Sequence, residues 1–128
     1  MGAIRNLAKR VLFSVLEPAS RVYLSKERKY TYKGIRVFVP PTVFHPAFYL
    51  STPILLAQLE QLDVQGLQFC ELGAGSGIVS LLAASKGASV TALEINPVAV
   101  DAIRRSADHN DLTLRVFRSD LFSALESE

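Results

Sequence analysis

Cysteine is almost absent from this chain of 128 residues, where Cys70 stands alone. An internal disulfide and a cysteine-based metal site are therefore excluded, and no metal is expected. Cys70 falls inside an apolar run, which reads as a small buried thiol. No run of about 18 apolar residues occurs, so no transmembrane helix is expected. Internal repeats and low-complexity tracts are missing as well. Charge of one sign is not in excess: the net value is +2, with 49% hydrophobic and 20% charged residues, the composition of one soluble domain with a packed core. The distribution is uneven. Residues 1–60 hold nine Lys and Arg against three Asp and Glu, and residues 61–128 hold five against nine. A basic front on an acidic half suits an anionic substrate such as RNA or a ribosome-associated protein; a solvated, unevenly charged surface explains it about equally well.

Four sections follow one another. Ile4, Leu7, Ala8, Val11, Leu12, Val15 and Leu16 form a helical stripe over 3–16, closed by Pro18. Glu17-Pro18 interrupts what a signal peptide would need, so the stripe is expected to dock on its own domain, not on a membrane, and the compartment to be cytoplasmic. Residues 28–39 read as a hairpin turning at Lys33-Gly34. Pro40-Pro41 ends it, a loop with aromatics and His45 follows, and Ser51-Thr52-Pro53 caps the next helix. Tyr30 and Tyr32 with Lys29, Lys33 and Arg36 make a basic, aromatic hairpin surface, which nucleic-acid contact or plain packing would explain.

From residue 66 strands and helices alternate, the signature of a parallel sheet with crossover helices. Strands are expected at 67–72, 89–93 and 112–117, with Gly87 closing the first crossover helix, Asn96-Pro97 opening the second and Asn110 capping it. Glu71, Glu94 and Asp120 each close a strand and so share one sheet edge, where ligands of open α/β sheets bind. The first loop reads Glu71-Leu72-Gly73-Ala74-Gly75-Ser76-Gly77. Dinucleotide sites use G-x-G-x-x-G, and here Ile78 occupies the third glycine's place. A pyrophosphate would also meet the carboxylate of Glu71. A cationic ligand with an amino group and a free ribose suits the loop better, and S-adenosylmethionine has all three properties.

The segment E-L-G-A-G-S-G resembles the first motif of class I S-adenosylmethionine-dependent methyltransferases, and L-E-I-N-P at 93–97 resembles their second acidic loop. With V-F-H-P-A-F-Y-L-S-T-P-I-L-L at 43–56 and S-D-L-F at 119–122, the chain is similar to the small-domain methyltransferases, including release-factor glutamine and ribosomal-RNA guanine enzymes. The resemblance covers about residues 34–122. It implies a Rossmann-like α/β fold of three layers around a parallel sheet, with the N-terminal helix, hairpin and lid-like loop over 1–50 and the cofactor-binding half over 51–128. It implies S-adenosylmethionine as cofactor, held by Glu71, Gly73, Ala74, Gly75, Gly77, Glu94, Ile95, Asp120, Leu121 and Thr52. His45 lies in the lid-like segment, where a structural role is the alternative.

The same family carries Asn-Pro-Pro-Tyr after its fourth strand, and this sequence has no such tetrapeptide. The chain therefore reads as a front portion whose C-terminal strands are missing, and no residue is assigned a catalytic role. The function implied is methyl transfer to a nitrogen of a protein glutamine, as in a release factor. An RNA base nitrogen, or a cofactor-binding fragment without activity, are the alternatives. Such a chain would leave its first parallel strand as an open edge prone to self-association.

Overall fold

A computed structural model describes residues 2–23, 25–48 and 50–126. The first helix, α1, spans Gly2–Tyr23. It runs through Pro18, where the sequence places its end. Proline costs one backbone hydrogen bond there, and the Glu17–Arg21 ion pair spans the gap at 2.6 Å. Leu7, Val11 and Leu16 of the expected docking stripe are exposed, so at these positions the helix does not dock on its own domain. Ile4, Ala8, Leu12 and Val15 lie outside the described side chains. Among the described residues no helix is long and apolar enough to cross a membrane.

Strands β1 (Arg28–Tyr32) and β2 (Ile35–Val39) pair antiparallel. Lys33 and Gly34 have φ of 45° and 83°, the two positive values that a two-residue hairpin turn of matching twist requires. Tyr30 and Tyr32 face inward onto the core, so the outer hairpin surface is Lys29, Thr31, Arg36 and Phe38 instead. A 3-10 turn at Pro46–Phe48 leads into α2 (Ser51–Gln61). No side chain caps α2 at its start, contrary to the cap expected from Ser51 and Thr52. Its end is capped by Lys86, whose Nζ donates to the carbonyls of Leu59, Glu60 and Leu62 at 2.6–2.8 Å.

The parallel sheet has the order β3 (Gln68–Leu72), β4 (Ser89–Glu94), β5 (Arg115–Arg118). Crossover helices α3 (Ile78–Ser85) and α4 (Pro97–His109) join them. Strands added in one direction through right-handed crossovers place both helices on one face. Of the three layers expected, the described residues thus hold the sheet and one helical layer. The hairpin stacks on that layer: the N–H of Phe38 donates to Ser106 Oγ at 3.0 Å, and the Asn110 side chain pairs with both backbone groups of Arg36. Ile35, Val37 and Val39 join Leu56, Leu81 and Val90 in the core.

β3 lies at the edge of the described sheet, and Leu67 just before it and Leu72 at its end are exposed. Cys70 is exposed too, against the buried thiol read from its apolar run. It points to the face that no described helix covers, because strand residues alternate and Phe69 and Glu71 take the helical side. The last strand begins three residues later than expected. Asp111 adopts φ 53° and the N–H of Leu112 returns to the Ala107 carbonyl at 3.0 Å, which uses residues 111–114 to turn off α4.

Gly77 is the most closely packed of the glycines in the described residues. Its φ is 79°, and an added Cβ would lie 2.8 Å from Ile103 Cγ1. Gly77→Ala combines left-handed strain with overpacking and is expected to cost about 2–4 kcal/mol in urea unfolding. Gly34→Ala, whose Cβ meets nothing within 4 Å, should cost about 1 kcal/mol.

Candidate cofactor site

The carboxyl ends of β3 and β4 open into two loops, 73–77 and 95–96. Gly73 and Gly75 have φ of 64° and 57°. A Cβ on Gly73 would meet nothing, and one on Gly75 only a carbonyl at 4.0 Å, so bare backbone faces open space. Gly77 differs: it is spent on the packing against Ile103. The three glycines that look equivalent in sequence thus have two jobs.

Glu94 closes β4 and is only 8% exposed. Its Oε2 accepts the N–H of Gly75 at 2.8 Å, and its Oε1 accepts the N–H of Asn96 at 3.0 Å. One carboxylate therefore joins both loops. Asn96 in turn caps α4 by accepting the N–H of Val98 at 3.0 Å, with Pro97 in the first turn.

Glu71 sits on the helical face of β3, half-buried. The backbone N–H of Ser80 donates to its Oε2 at 3.0 Å, and the Ser80 hydroxyl makes a very short bond to the same oxygen. Burial pushes the carboxyl up from 4.5 to about 7; the two Ser80 bonds work against that rise and the nearby charge of Glu94 adds to it.

Two cavities meet over the glycine loop. One of about 550 Å³ is lined by Thr52, Glu71, Gly73, Ala74, Gly75 and Phe44, among others. The other, about 320 Å³, is lined by Glu94, Asn96, Thr42 and again Phe44, Gly73 and Gly75. Ile95, Asp120 and Leu121 are exposed and line neither cavity. Asp120 heads a turn in which the N–H of Ser123 returns to its carbonyl at 3.1 Å. Among the described residues no cluster of His, Cys, Asp or Glu is arranged to hold a metal ion.

His45 also lines neither cavity. It is buried with its ring edge-on to Tyr23, Tyr30 and Phe48, and its Nδ1 accepts the N–H of Ala47 at 3.2 Å. Burial first, then the charge of Arg28, lowers its pKa below the ordinary 6.5. Its neighbours Phe44 and Pro46 reach the cavity instead. Sequence reasoning missed Ser80 and Phe44. The signal for Ser80 was present: a lone hydroxyl on the buried face of an otherwise apolar helix needs a partner.

The family model for the methyltransferase small domain matches residues 35–128. This chain belongs to that family. A Methanocaldococcus jannaschii protein provisionally named a protein N5-glutamine methyltransferase is 35% identical over 91 residues, which is 70% of this chain and 44% of that protein. The ribosomal protein L11 methyltransferase of Symbiobacterium thermophilum is 33% identical over 90 residues, 70% of this chain and 30% of its own length. Among solved structures, the 16S ribosomal RNA guanine-N2 methyltransferase of T. thermophilus with AdoMet and guanosine aligns with a TM-score of 0.64 at 25% identity, covering 78% of this chain and 29% of that one. The chain spans less than half the length of these relatives.

A carboxyl whose pKa is raised by folding favours the folded state when protonated. The stabilisation is full below pH 4.5 and is lost as pH rises through about 7. Glu71→Gln keeps the acceptor for Ser80 and removes the titration. It is expected to be more stable than wild type at pH 8, by at most about 3 kcal/mol, with the gap closing toward pH 4.5. Urea unfolding across that range reads it, and a pH-independent difference would refute it.

Proposed function

We propose that the chain is the cofactor-binding portion of an S-adenosylmethionine-dependent N-methyltransferase whose first substrate class is a protein glutamine side chain. The observation that carries this reading is the pair of cavities meeting over Gly73 and Gly75, one holding Glu71 and the other Glu94. When bound, S-adenosylmethionine supplies a methyl group on a sulfonium, open to direct attack by a nitrogen lone pair.

The residues present fit that ligand. Open space at Gly73 and Gly75 lets a ligand lie against backbone. Glu71 and Thr52 would hold the amino-acid end and Glu94 the ribose hydroxyls, while Ile95, Asp120 and Leu121, exposed and outside both cavities, would be left to meet the base. Each Glu94 oxygen already accepts one N–H, and an ionised carboxylate has about four acceptor sites, so room for two hydroxyls is left. Two acidic side chains suit a cationic ligand and oppose a pyrophosphate. This chain's part in transfer is to align and to exclude water, which demands position more than acid–base power.

The identity to the M. jannaschii protein favours the glutamine reading. An RNA base nitrogen is the second reading, favoured by the likeness to the T. thermophilus ribosomal-RNA enzyme and by the basic residues of the N-terminal half.

Titration calorimetry with S-adenosylhomocysteine is expected to show binding, and Glu94→Ala to weaken it roughly 10- to 100-fold. Cys70, exposed on the uncovered face of β3, should react with a disulfide reagent in the folded protein. Binding of a nicotinamide dinucleotide without binding of S-adenosylhomocysteine would overturn the reading. Labelled-methyl transfer to release factor and to ribosomal RNA separates the two substrate classes.

A further inference from the structure

Ser80 is fully buried in the first turn of α3, two residues after Ile78. The residue before that helix is Gly77, which has no side chain to cap the exposed N–H groups. Glu71 takes over this duty from the neighbouring strand, accepting the Ser80 N–H at 3.0 Å and the Ser80 hydroxyl on the same oxygen, Oε2. Neither donor goes to Oε1, and Glu71 lines the larger cavity.

Resting on the cofactor reading above, we propose that Ser80 is a positioning residue of the site: by clasping Oε2 it turns Glu71 so that Oε1 is presented to the cavity, as a carboxylate, for the ligand's ammonium group. A carboxyl in this place is divided between two needs. Dehydration favours the neutral acid, whereas an ammonium ligand needs the anion. The Ser80 hydroxyl and N–H stabilise the anion, and the start of α3 adds its positive end. The other ionisable groups around Glu71 are few. Glu94 across the glycine loop opposes its ionisation, and Cys70 stands beside it on β3. From α2 and α3 the cavity receives Ser51, Thr52, Leu55, Ile78 and Val79, which bring no charge. Among the described residues of the helical layer, Ser80, buried behind this cavity wall, is the one that donates to the carboxyl.

Losing the hydroxyl removes one charge-assisted bond to the anion, which corresponds to a rise of about one to two pH units in the Glu71 midpoint. The test has two readouts on the full chain. The first is the Glu71 midpoint in ligand-free protein, followed by carbon NMR of labelled glutamate in wild type, Ser80→Ala and Ser80→Thr. The second is S-adenosylhomocysteine affinity from pH 6 to 9. Ser80→Ala should raise the midpoint and lower affinity about 10-fold at pH 7, with recovery as pH rises, while Ser80→Thr stays near wild type. An unchanged midpoint, or an affinity loss equal at every pH, would overturn the role given to Ser80. A shifted midpoint in a protein that binds no S-adenosylhomocysteine even as wild type would instead overturn the cofactor reading and with it the site that Ser80 is said to serve.

Discussion

The carboxylate of Glu94 is the joint on which the ligand edge depends. It ends the central strand of the parallel sheet, is nearly withdrawn from water, and accepts one backbone N–H from the loop before it and one from the loop after it. A buried carboxylate is costly unless its oxygens are satisfied by good donors, and two backbone amides are such donors. Both amides are in reach only if β4 keeps its register, Leu72 opposite Leu93 on one side and Glu94 opposite Arg118 on the other. Register, loop shape and the placement of an acid at the cavity are thus one requirement.

Helix α4 carries that requirement outward. Ile103 fills the space that the missing side chain of Gly77 leaves, so the glycine loop and α4 approach more closely than any other residue would permit. One turn on from Ile103, Ser106 bonds the backbone of β2, and two turns on, Asn110 at the end of α4 does the same. The hairpin, α4 and the glycine loop therefore form a continuous packed chain of contacts. The segment that follows the hairpin inherits its position from them: the Asn96 side chain donates to Thr42, and Phe44 reaches into both cavities. His45 anchors the same segment from behind, in a nest of Tyr23, Tyr30 and Phe48 rings.

Much of this was legible in the residues. Alternation of apolar strands and amphipathic helices from residue 66 specified a parallel sheet, because only crossover helices join parallel neighbours. Gly87, Asn96-Pro97 and Lys33-Gly34 announced their caps and turn through backbone preferences that are local. What failed were readings that needed knowledge of a neighbour. Pro18 reads as a helix end, yet the helix continues to Tyr23, since one lost bond is tolerable in a long helix. Cys70 reads as buried because its run is apolar, but one face of an edge strand is covered here and the other is not.

The sequence by itself determined the order of the strands and helices, the glycine-rich loop and the acids at the ends of the first two parallel strands, Glu71 and Glu94, since these follow from periodicity and backbone freedom within a few residues; Asp120 instead stands two residues past β5, in a turn of its own. Only the tertiary structure decided how those parts divide the work. It put Gly77 against Ile103 and left Gly73 and Gly75 facing open space. It gave Glu94 two loop amides, set Ser80 against Glu71, and turned His45 away from the cavity while Phe44 faced it. Each of these is a meeting of groups far apart along the chain, or a choice of face at one position, and neither is encoded in local pattern; both depend on which surfaces are left after the core has packed.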